Sequence, residues 1–231
     1  MKIAGLQKIS MVDYPGYICA TVFTQGCNFR CGFCHNRELM TTDTDFGFSQ
    51  QEFFKYLNSR KNIIEGICIT GGEPTFWPEL VGFARQIKNT GMKLKLDTNG
   101  SNPEMIKDLL GKGLLDYIAM DVKTSFEKYH FFKVPEKIEE FLAQSIQIII
   151  SSKIPYEFRT TCVPGIVTEE DIYSIAEAIK GAKKHCLQQF RSHENVLDEK
   201  FLRLKPYSKN KLDEFKSILE AFVEDVTIRG I

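Results

Sequence analysis

Segments typical of β-strands alternate with segments typical of α-helices along almost the whole chain, and this alternation constrains the fold more than any other feature. The predicted strands, the first with its following turn, are 3–16, 17–24, 66–70, 93–97, 117–121, 156–163, 186–189 and 225–229. The predicted helices are 49–59, 79–89, 103–112, 136–150, 168–180 and 209–224. Alternation of this kind is typical of parallel βαβ units.

Six strand–helix units are too few for a complete eight-unit barrel. The pattern therefore predicts an α/β fold, a partial parallel (β/α)6 TIM-like barrel, whose active site lies at the C-terminal ends of the strands. A length of 231 residues suits one domain covering 1–231. At the helix ends, Thr168 and Asp171 resemble a capping box, and Gly91 and Gly111 fit the left-handed position after a helix.

Charge and hydropathy limit the classes of partner that this protein can bind. Lysine plus arginine equals aspartate plus glutamate at 30 each, so there is no global positive field to attract nucleic acid or an anionic membrane. The sequence shows neither a secretory signal pattern nor an apolar stretch of roughly 20 residues that would span a bilayer. We expect a cytoplasmic protein that binds neither nucleic acid nor membrane.

Three of the seven cysteines, Cys27, Cys31 and Cys34, fall within eight positions just after a predicted strand. In a reducing compartment such clustering favours metal ligation over disulfides. Three thiolates at C-x3-C-x2-C spacing suit an iron–sulfur cubane with one iron open to substrate. The alternative is a structural zinc site with His35 or a distant residue as fourth ligand.

Polar residues follow three further predicted strands. These are Gly71-Gly72-Glu73-Pro74, Asp97-Thr98-Asn99-Gly100 and Asp121-Val122-Lys123. Residues two apart on a strand share a face, so Asp97 and Asn99 form one pair, and Asp121 and Lys123 another, at the mouth of the barrel. Taken alone, the two motifs that contain glycine are typical of tight turns after a strand. Asp121 and Lys123 taken alone fit a salt bridge at the rim as well as they fit a binding site.

The cysteine loop, with the aromatic residue Phe33 before its last cysteine, resembles the signature of the radical S-adenosylmethionine (radical SAM) superfamily. The string Cys34-His35-Asn36-Arg37 is similar to that of the activating enzymes of glycyl radical proteins. The resemblance implies a radical SAM fold and a 4Fe–4S cluster held by the three cysteines. The open iron of that cluster binds S-adenosylmethionine, which is cleaved reductively to a 5′-deoxyadenosyl radical.

The same resemblance assigns the remaining roles. Phe33 is expected near the adenine, and the glycines and Glu73 near the methionine part of the cofactor. Asp97 is expected to help form a cofactor site, with a monovalent cation near Asp97 and Asp121, and Lys123 is expected to lie beside the cofactor with a catalytic role. The expected cofactor-binding residues are Phe33, His35, Gly71, Gly72, Glu73, Pro74, Asp97, Asn99, Asp121, Lys123 and Arg159.

The implied activity is hydrogen abstraction from a backbone glycine of a glycyl radical enzyme, with a flavodoxin- or ferredoxin-type electron donor. The resemblance is nearest to proteins labelled anaerobic ribonucleoside-triphosphate reductase activating protein. Pyruvate formate-lyase activase has a histidine after a Pro-Tyr pair near its C-terminus, whereas Ser208 follows Pro206-Tyr207 here. The alternatives are a radical SAM enzyme acting on a small molecule or modified nucleobase, an inactive family member, and a zinc-binding scaffold without catalysis.

Overall fold

The structure is a computed structural model that describes residues 1–43 and 48–231. Its residues group into two compact units. The first unit comprises Met1–Asn28, Glu38–Thr98 and Glu104–Ile118. The second unit comprises Phe29–Arg37, Asn99–Pro103 and Ala119–Ile231.

All eight predicted strands and all six predicted helices are present in the structure. The strands are β1 (Ile3–Ser10), β2 (Cys19–Thr24), β3 (Gly66–Gly71), β4 (Lys93–Thr98), β5 (Tyr117–Asp121), β6 (Tyr156–Cys162), β7 (Lys184–Gln189) and β8 (Asp225–Arg229). The helices are α1 (Gln50–Arg60), α2 (Leu80–Asn89), α3 (Pro103–Gly111), α4 (Ile138–Ile150), α5 (Glu169–Ala178) and α6 (Lys209–Leu219). The largest difference is at α6, which ends five residues before the predicted end at 224.

In the first unit, β1 is antiparallel to β2, and β2, β3 and β4 are parallel neighbours. The middle strand β3 is buried from Gly66 to Ile69, as expected for a parallel strand covered on both faces. Helix α1 begins with a capping box in which Ser49 and Glu52 satisfy each other's backbone N–H groups. The ring of Phe53 on α1 lies 5.4 Å from that of Phe83 on α2, which joins the two helices in one apolar layer.

In the second unit, β6, β7 and β8 are parallel neighbours. The predicted capping box at α5 is confirmed, since the Asp171 carboxylate accepts from the Thr168 N–H at 2.7 Å. Asp171 is 2 % exposed and also accepts from the hydroxyl of Ser125 and the ammonium of Lys128. These bonds lower the pKa of Asp171 although burial opposes this, so the cap fixes the segment after β5 to α5.

The strands follow one another in the sheet in chain order, from β1 to β8. Strands β2 to β7 are each followed by one helix, which gives the six strand–helix units that the sequence predicts. The α/β class with a mainly parallel sheet is thus confirmed. No helix in the described ranges is long and apolar enough to cross a membrane.

One prediction about helix ends is wrong. Gly91 has the expected positive φ of 85°, but the left-handed glycine after α3 is Gly113, with φ 64°, rather than Gly111. The Leu114 N–H reaches the carbonyl of Leu109 and the Gly113 N–H that of Leu110, both at 3.0 Å. This pair of bonds is a Schellman motif, and it moves the left-handed residue two positions further along the chain.

Candidate active site

The loop with the three cysteines begins directly after β2. In the first unit, backbone N–H groups of Gly26 and Cys27 donate to the carbonyls of Leu39 at 2.7 Å and Met40 at 3.4 Å. Gly26 has φ 83°, a conformation that favours glycine. The first cysteine is therefore held in place by backbone bonds to a segment that follows it in sequence.

In the second unit, the loop continues with Cys31 and Cys34, where the Cys34 N–H donates to the Cys31 carbonyl at 3.0 Å. The carbonyl of Gly32 accepts from the Asp198 N–H at 2.9 Å. A Cβ atom at Gly32 would lie 2.6 Å from the ring of Phe201. The residue after the second cysteine must therefore be small, because an aromatic ring closes over it.

None of the seven cysteines, all of which lie among the described residues, forms a disulfide. In the cysteine loop, Cys31 is 7 % exposed, whereas Cys27 and Cys34 are half-buried. The other four, Cys19, Cys68, Cys162 and Cys186, are buried in strands. Burial raises the pKa of Cys162 to about 12 and also raises that of Cys186. These strand cysteines behave as small apolar side chains.

The aromatic residue and the histidine of the loop both have partners in the second unit. The Phe33 ring makes edge contacts with Phe132 at 5.9 Å and Phe201 at 6.0 Å. The His35 Nε2 lies 2.8 Å from the carbonyl of Arg191. A carbonyl accepts only from a protonated nitrogen, so His35 donates through Nε2. This bond orients the imidazole next to Cys34.

The two glycines after β3 are required by close backbone packing inside the first unit. Gly71 has φ 126°, and a Cβ there would lie 2.2 Å from the backbone nitrogen of Thr24. At Gly72 a Cβ would lie 2.1 Å from the carbonyl oxygen of Gly26. The end of β3 thus packs directly on the start of the cysteine loop. This packing requires glycine at both positions, whether or not a cofactor also approaches the backbone there.

Glu73 is a buried carboxylate at the same turn, with 1 % exposure. Its Oε1 accepts from the Thr75 N–H at 3.0 Å, the Thr75 hydroxyl at 2.6 Å and the Thr98 hydroxyl at 2.7 Å. Pro74 opens a short 3-10 helix, Pro74–Phe76. Three hydrogen bonds to one oxygen fix the carboxyl group rigidly, as a ligand-binding carboxylate requires.

At the end of β4, Asp97 forms an ion pair with the ammonium of Lys95, which is buried at 2 % exposure. Lys95 lies two positions before Asp97 on the same face, and the sequence analysis did not assign it a role. Asn99 is 5 % exposed, and its Oδ1 accepts from the Ser101 N–H at 2.9 Å. The predicted Asn-Gly turn is confirmed by φ 77° at Gly100.

Three of the predicted residues come together in the second unit. The Asp121 carboxylate accepts from Arg159 Nε at 2.9 Å and from Lys123 Nζ at 3.1 Å. Desolvation alone would raise the pKa of Asp121, but the two cations lower it from 3.8 to about 2. Asp121 is therefore ionised throughout the physiological range. These three side chains together carry one net positive charge, since two cations face one carboxylate.

Lys123 also interacts electrostatically with the cysteine loop. Burial disfavours its charge, but Asp121 and, after it, Cys31 raise the pKa of Lys123 above the ordinary 10.5. Electrostatic attraction is mutual, so the ammonium stabilises a thiolate at Cys31. The backbone N–H of Lys123 donates to the Tyr129 hydroxyl at 2.9 Å, and burial keeps the pKa of that phenol raised.

A cavity of about 660 Å³ lies beside the loop in the second unit. Its lining combines apolar rings with three basic side chains and one carboxylate. The lining residues are Arg30, Gly32, Phe131, Phe132, Lys133, Pro164, Gly165, Ile166, Leu197, Asp198, Lys200, Phe201 and Leu204. Cavities of this size are typical of ligand-binding clefts.

Comparison with known proteins identifies the class of protein to which this fold and loop belong. Residues 21–179 match the family model of the radical SAM superfamily. Among solved structures, Streptococcus suis SuiB bound to S-adenosylmethionine has a TM-score of 0.66 at 14% identity, covering 90% of this chain and 49% of that one. TYW1 with a bound lysine-pyruvate adduct has a TM-score of 0.63 at 15% identity, covering 88% and 73%. The chain belongs to the radical SAM superfamily.

Sequence relatives define the group within that superfamily. A Methanocaldococcus jannaschii protein that carries the provisional name glycyl-radical enzyme activating enzyme is 36% identical over 99% of this chain and 96% of its own length. The pyruvate formate-lyase 1-activating enzyme of Escherichia coli K12 is 26% identical over 74% of this chain and 71% of its own. The chain is thus a radical SAM oxidoreductase of the glycyl-radical-enzyme activating family.

The family implies a 4Fe–4S cluster and S-adenosylmethionine, and the residues present fit both. Thiolates are the usual ligands of such clusters, and none of the three loop cysteines is held in a disulfide. Lys123 supplies positive charge near the Cys31 sulfur. In the first unit the ordered carboxylate of Glu73 suits an ammonium group of a ligand. In the second unit the ordered carboxylate of Asp121 suits ammonium or hydroxyl groups. The match of residues 21–179 to the radical SAM superfamily sets the zinc scaffold aside.

Sequence reasoning missed three supporting residues. Thr75 and Thr98 orient Glu73, and Lys95 pairs with Asp97. The strand periodicity contained a signal for Lys95, because it shares a face with Asp97. The threonines gave none, since their contact with Glu73 depends on how two separate turns pack.

Proposed function

We propose that this chain activates a glycyl radical enzyme of the anaerobic ribonucleotide reductase type. Cys27, Cys31 and Cys34 would hold a 4Fe–4S cluster, which would supply the one-electron reductive cleavage of S-adenosylmethionine needed to remove a hydrogen atom from a backbone glycine of the partner. The observation that carries the activating role is the 36% identity, over 99% of this chain, to a protein provisionally named as a glycyl-radical enzyme activating enzyme. The choice of a reductase as the target rests on the sequence resemblance and on Ser208. A flavodoxin- or ferredoxin-type protein in the cytoplasm would supply the electron.

In this proposal, Cys27, Cys31 and Cys34 hold the cluster. The fold leaves Cys27 and Cys34 half-buried, while Cys31 lies deeper, beside the positive charge of Lys123. A cation near the sulfur favours the thiolate over the thiol and so favours iron binding. The role of Lys123 is therefore electrostatic, and its high pKa argues against its acting as a base at neutral pH.

Asp121, Lys123 and Arg159 would hold the polar parts of S-adenosylmethionine. Asp121 stays ionised because Arg159 and Lys123 lower its pKa to about 2, so it can accept hydrogen bonds from hydroxyl or ammonium groups. Lys123 and Arg159 are 16% and 14% exposed, so both side chains are partly accessible to a ligand. Glu73, fixed by Thr75 and Thr98, would accept from the ammonium of the methionine part.

Ser208 supports a target other than pyruvate formate-lyase. Its hydroxyl accepts from the Lys211 N–H at 3.2 Å and so caps the start of α6. The preceding Tyr207 donates its hydroxyl to the Val167 carbonyl at 2.8 Å. Serine is a preferred N-cap, and this position therefore has a helix-capping role here instead of presenting a histidine.

The test compares two protein substrates under anaerobic conditions. Reconstituted, reduced enzyme is mixed with S-adenosylmethionine and either an anaerobic ribonucleotide reductase or pyruvate formate-lyase. Electron paramagnetic resonance measures the glycyl radical, and chromatography measures 5′-deoxyadenosine. We expect a radical on the reductase and at least about tenfold less on the lyase, which corresponds to about 1.4 kcal/mol of discrimination.

Matched cysteine variants control this experiment. Cys31→Ala should lose cluster iron and both products, whereas Cys186→Ala, a buried strand cysteine, should keep its iron. Formation of 5′-deoxyadenosine with no radical on the reductase would contradict the proposed target. Full iron content in Cys31→Ala would contradict the ligand assignment.

A further inference from the structure

Lys95 carries a charge inside the first unit. It is 2 % exposed, although lysine is among the side chains that are least often buried. Its ammonium forms an ion pair with Asp97, whose side chain is 14% exposed. A buried charge requires compensation, and this carboxylate supplies it.

The other neighbours of the ammonium compensate its charge only weakly. Its Nζ donates to the Cys68 sulfur at 3.7 Å and lies 5.9 Å from the centre of the Tyr117 ring. A thiol is a weak acceptor, and an aromatic ring at this distance contributes a modest cation–π attraction. Asp97 is therefore the group that balances the charge of Lys95, and Lys95 in turn neutralises Asp97.

Asp97 is also the residue at which the family resemblance places a monovalent cation. A sodium or potassium ion bound there would share one carboxylate with a fixed ammonium only a few ångströms away. At about 4 Å and an effective dielectric constant of about 20, repulsion between two cations weakens binding of the second by roughly a hundredfold or more. The residues present do not fit a dissociable cation at this carboxylate.

We infer that Lys95 is the built-in counter-ion of Asp97 and takes the place of a dissociable monovalent cation at the end of β4. Lys95 acts through Asp97 and is thus a positioning residue. The ammonium keeps the carboxylate neutralised and oriented at every potassium or sodium concentration. The inference rests on the ion pair and on the role of Asp97, and not on which protein is activated.

Sodium-23 nuclear magnetic resonance line widths test the inference without any turnover. Reconstituted wild type, Lys95→Met, Lys95→Met/Asp97→Asn and Lys88→Met are each titrated with sodium at constant ionic strength. Methionine keeps length and apolar stem but removes the charge. We expect saturable sodium binding by Lys95→Met at least about tenfold tighter than by wild type, and its loss in the double variant.

Lys88→Met is the matched control, because Lys88 likewise forms an ion pair with one carboxylate of the same unit, that of Asp116, and not with Asp97. It should behave as wild type. Formation of 5′-deoxyadenosine adds a second readout: exchanging potassium for tetramethylammonium should change the wild-type rate less than about twofold, and lower the Lys95→Met rate about fivefold or more.

Saturable sodium binding by wild type that disappears in Asp97→Asn would overturn the inference. So would the absence of sodium binding in a folded Lys95→Met. If that variant does not fold, the wild-type and Asp97→Asn titrations still decide, and Lys95→Arg, which keeps the charge, should remain indifferent to potassium. An inactive wild type without sodium binding would refute the proposed function alone.

Discussion

Asp121→Asn removes one negative charge from between two partly buried cations while keeping the shape of the side chain. The carboxylate is bonded to Arg159 at 2.9 Å and to Lys123 at 3.1 Å. An amide oxygen can still accept one of these bonds, but the two cations then face each other without compensation. Breaking a buried ion pair by removing one partner is strongly destabilising for this reason.

The lowered pKa of Asp121 gives the size of the expected loss in free energy of unfolding. A decrease from 3.8 to about 2 corresponds to about 2.4 kcal/mol of stabilisation of the ionised form, at 1.36 kcal/mol for each pKa unit. The Asp121 side chain is 31% exposed, so solvent screening lowers this to about 2 kcal/mol. For a chain of this length we expect the midpoint of thermal unfolding to fall by roughly 4–8 °C.

Anaerobic urea unfolding followed by circular dichroism measures the difference between wild type and Asp121→Asn. The carboxyl has a lowered pKa in the folded state, so its contribution is complete above about pH 4 and is lost as the pH falls through about 2. The difference in free energy of unfolding should therefore be constant from pH 6 to 8. It should decrease only under strongly acidic conditions.

Asp213→Asn is the matched control, because Asp213 forms an exposed ion pair with Lys209 at 2.8 Å on α6. Its removal should change the free energy of unfolding by less than about 0.5 kcal/mol. An Asp121→Asn protein as stable as this control at pH 7 would refute the reasoning. A difference that varies between pH 6 and 8 would show that another titrating group is involved.

Three further substitutions test the local structure. Gly72→Ala should destabilise the chain by about 3 kcal/mol or more, because its Cβ would lie 2.1 Å from the Gly26 carbonyl oxygen. Gly82→Ala in α2, where a Cβ meets nothing within 4 Å, should stabilise the chain by about 0.5–1 kcal/mol. Equal effects of Gly72→Ala and Gly82→Ala on urea unfolding would contradict the packing argument. Ser208→Ala should cost about 1 kcal/mol through loss of the bond from the Lys211 N–H while leaving 5′-deoxyadenosine formation unchanged, and a loss of that product in a folded variant would show a chemical role for Ser208.

Local patterns predicted the elements because each one depends on neighbours in the chain. Strand β2 could be identified from its β-branched and aromatic residues, and α5 from the pairing of Thr168 with Asp171. The wrong assignment of Gly111 has the same origin. Both glycines fit a helix end by residue type, and only the backbone bonds of Leu114 and Gly113 show which one is left-handed.

The candidate site was predictable where strand periodicity brings charges to one face. Asp121 and Lys123 are two residues apart and pair as the alternation predicts. Contacts between distant segments were not predictable in this way. The bond from His35 to Arg191 spans 156 positions, and nothing in the residues near His35 indicates it.

The agreement between strand order and chain order has a consequence for biosynthesis. Each new parallel strand of the first unit pairs with the strand made just before it, so the sheet can grow in the order of translation. The three thiols of the loop leave the ribosome early, long before β6, β7 and β8 exist. Lys123 and Arg159, which neutralise the site, are synthesised later. A nascent chain therefore presents its cysteines before Lys123, whose positive charge interacts with Cys31, has been made.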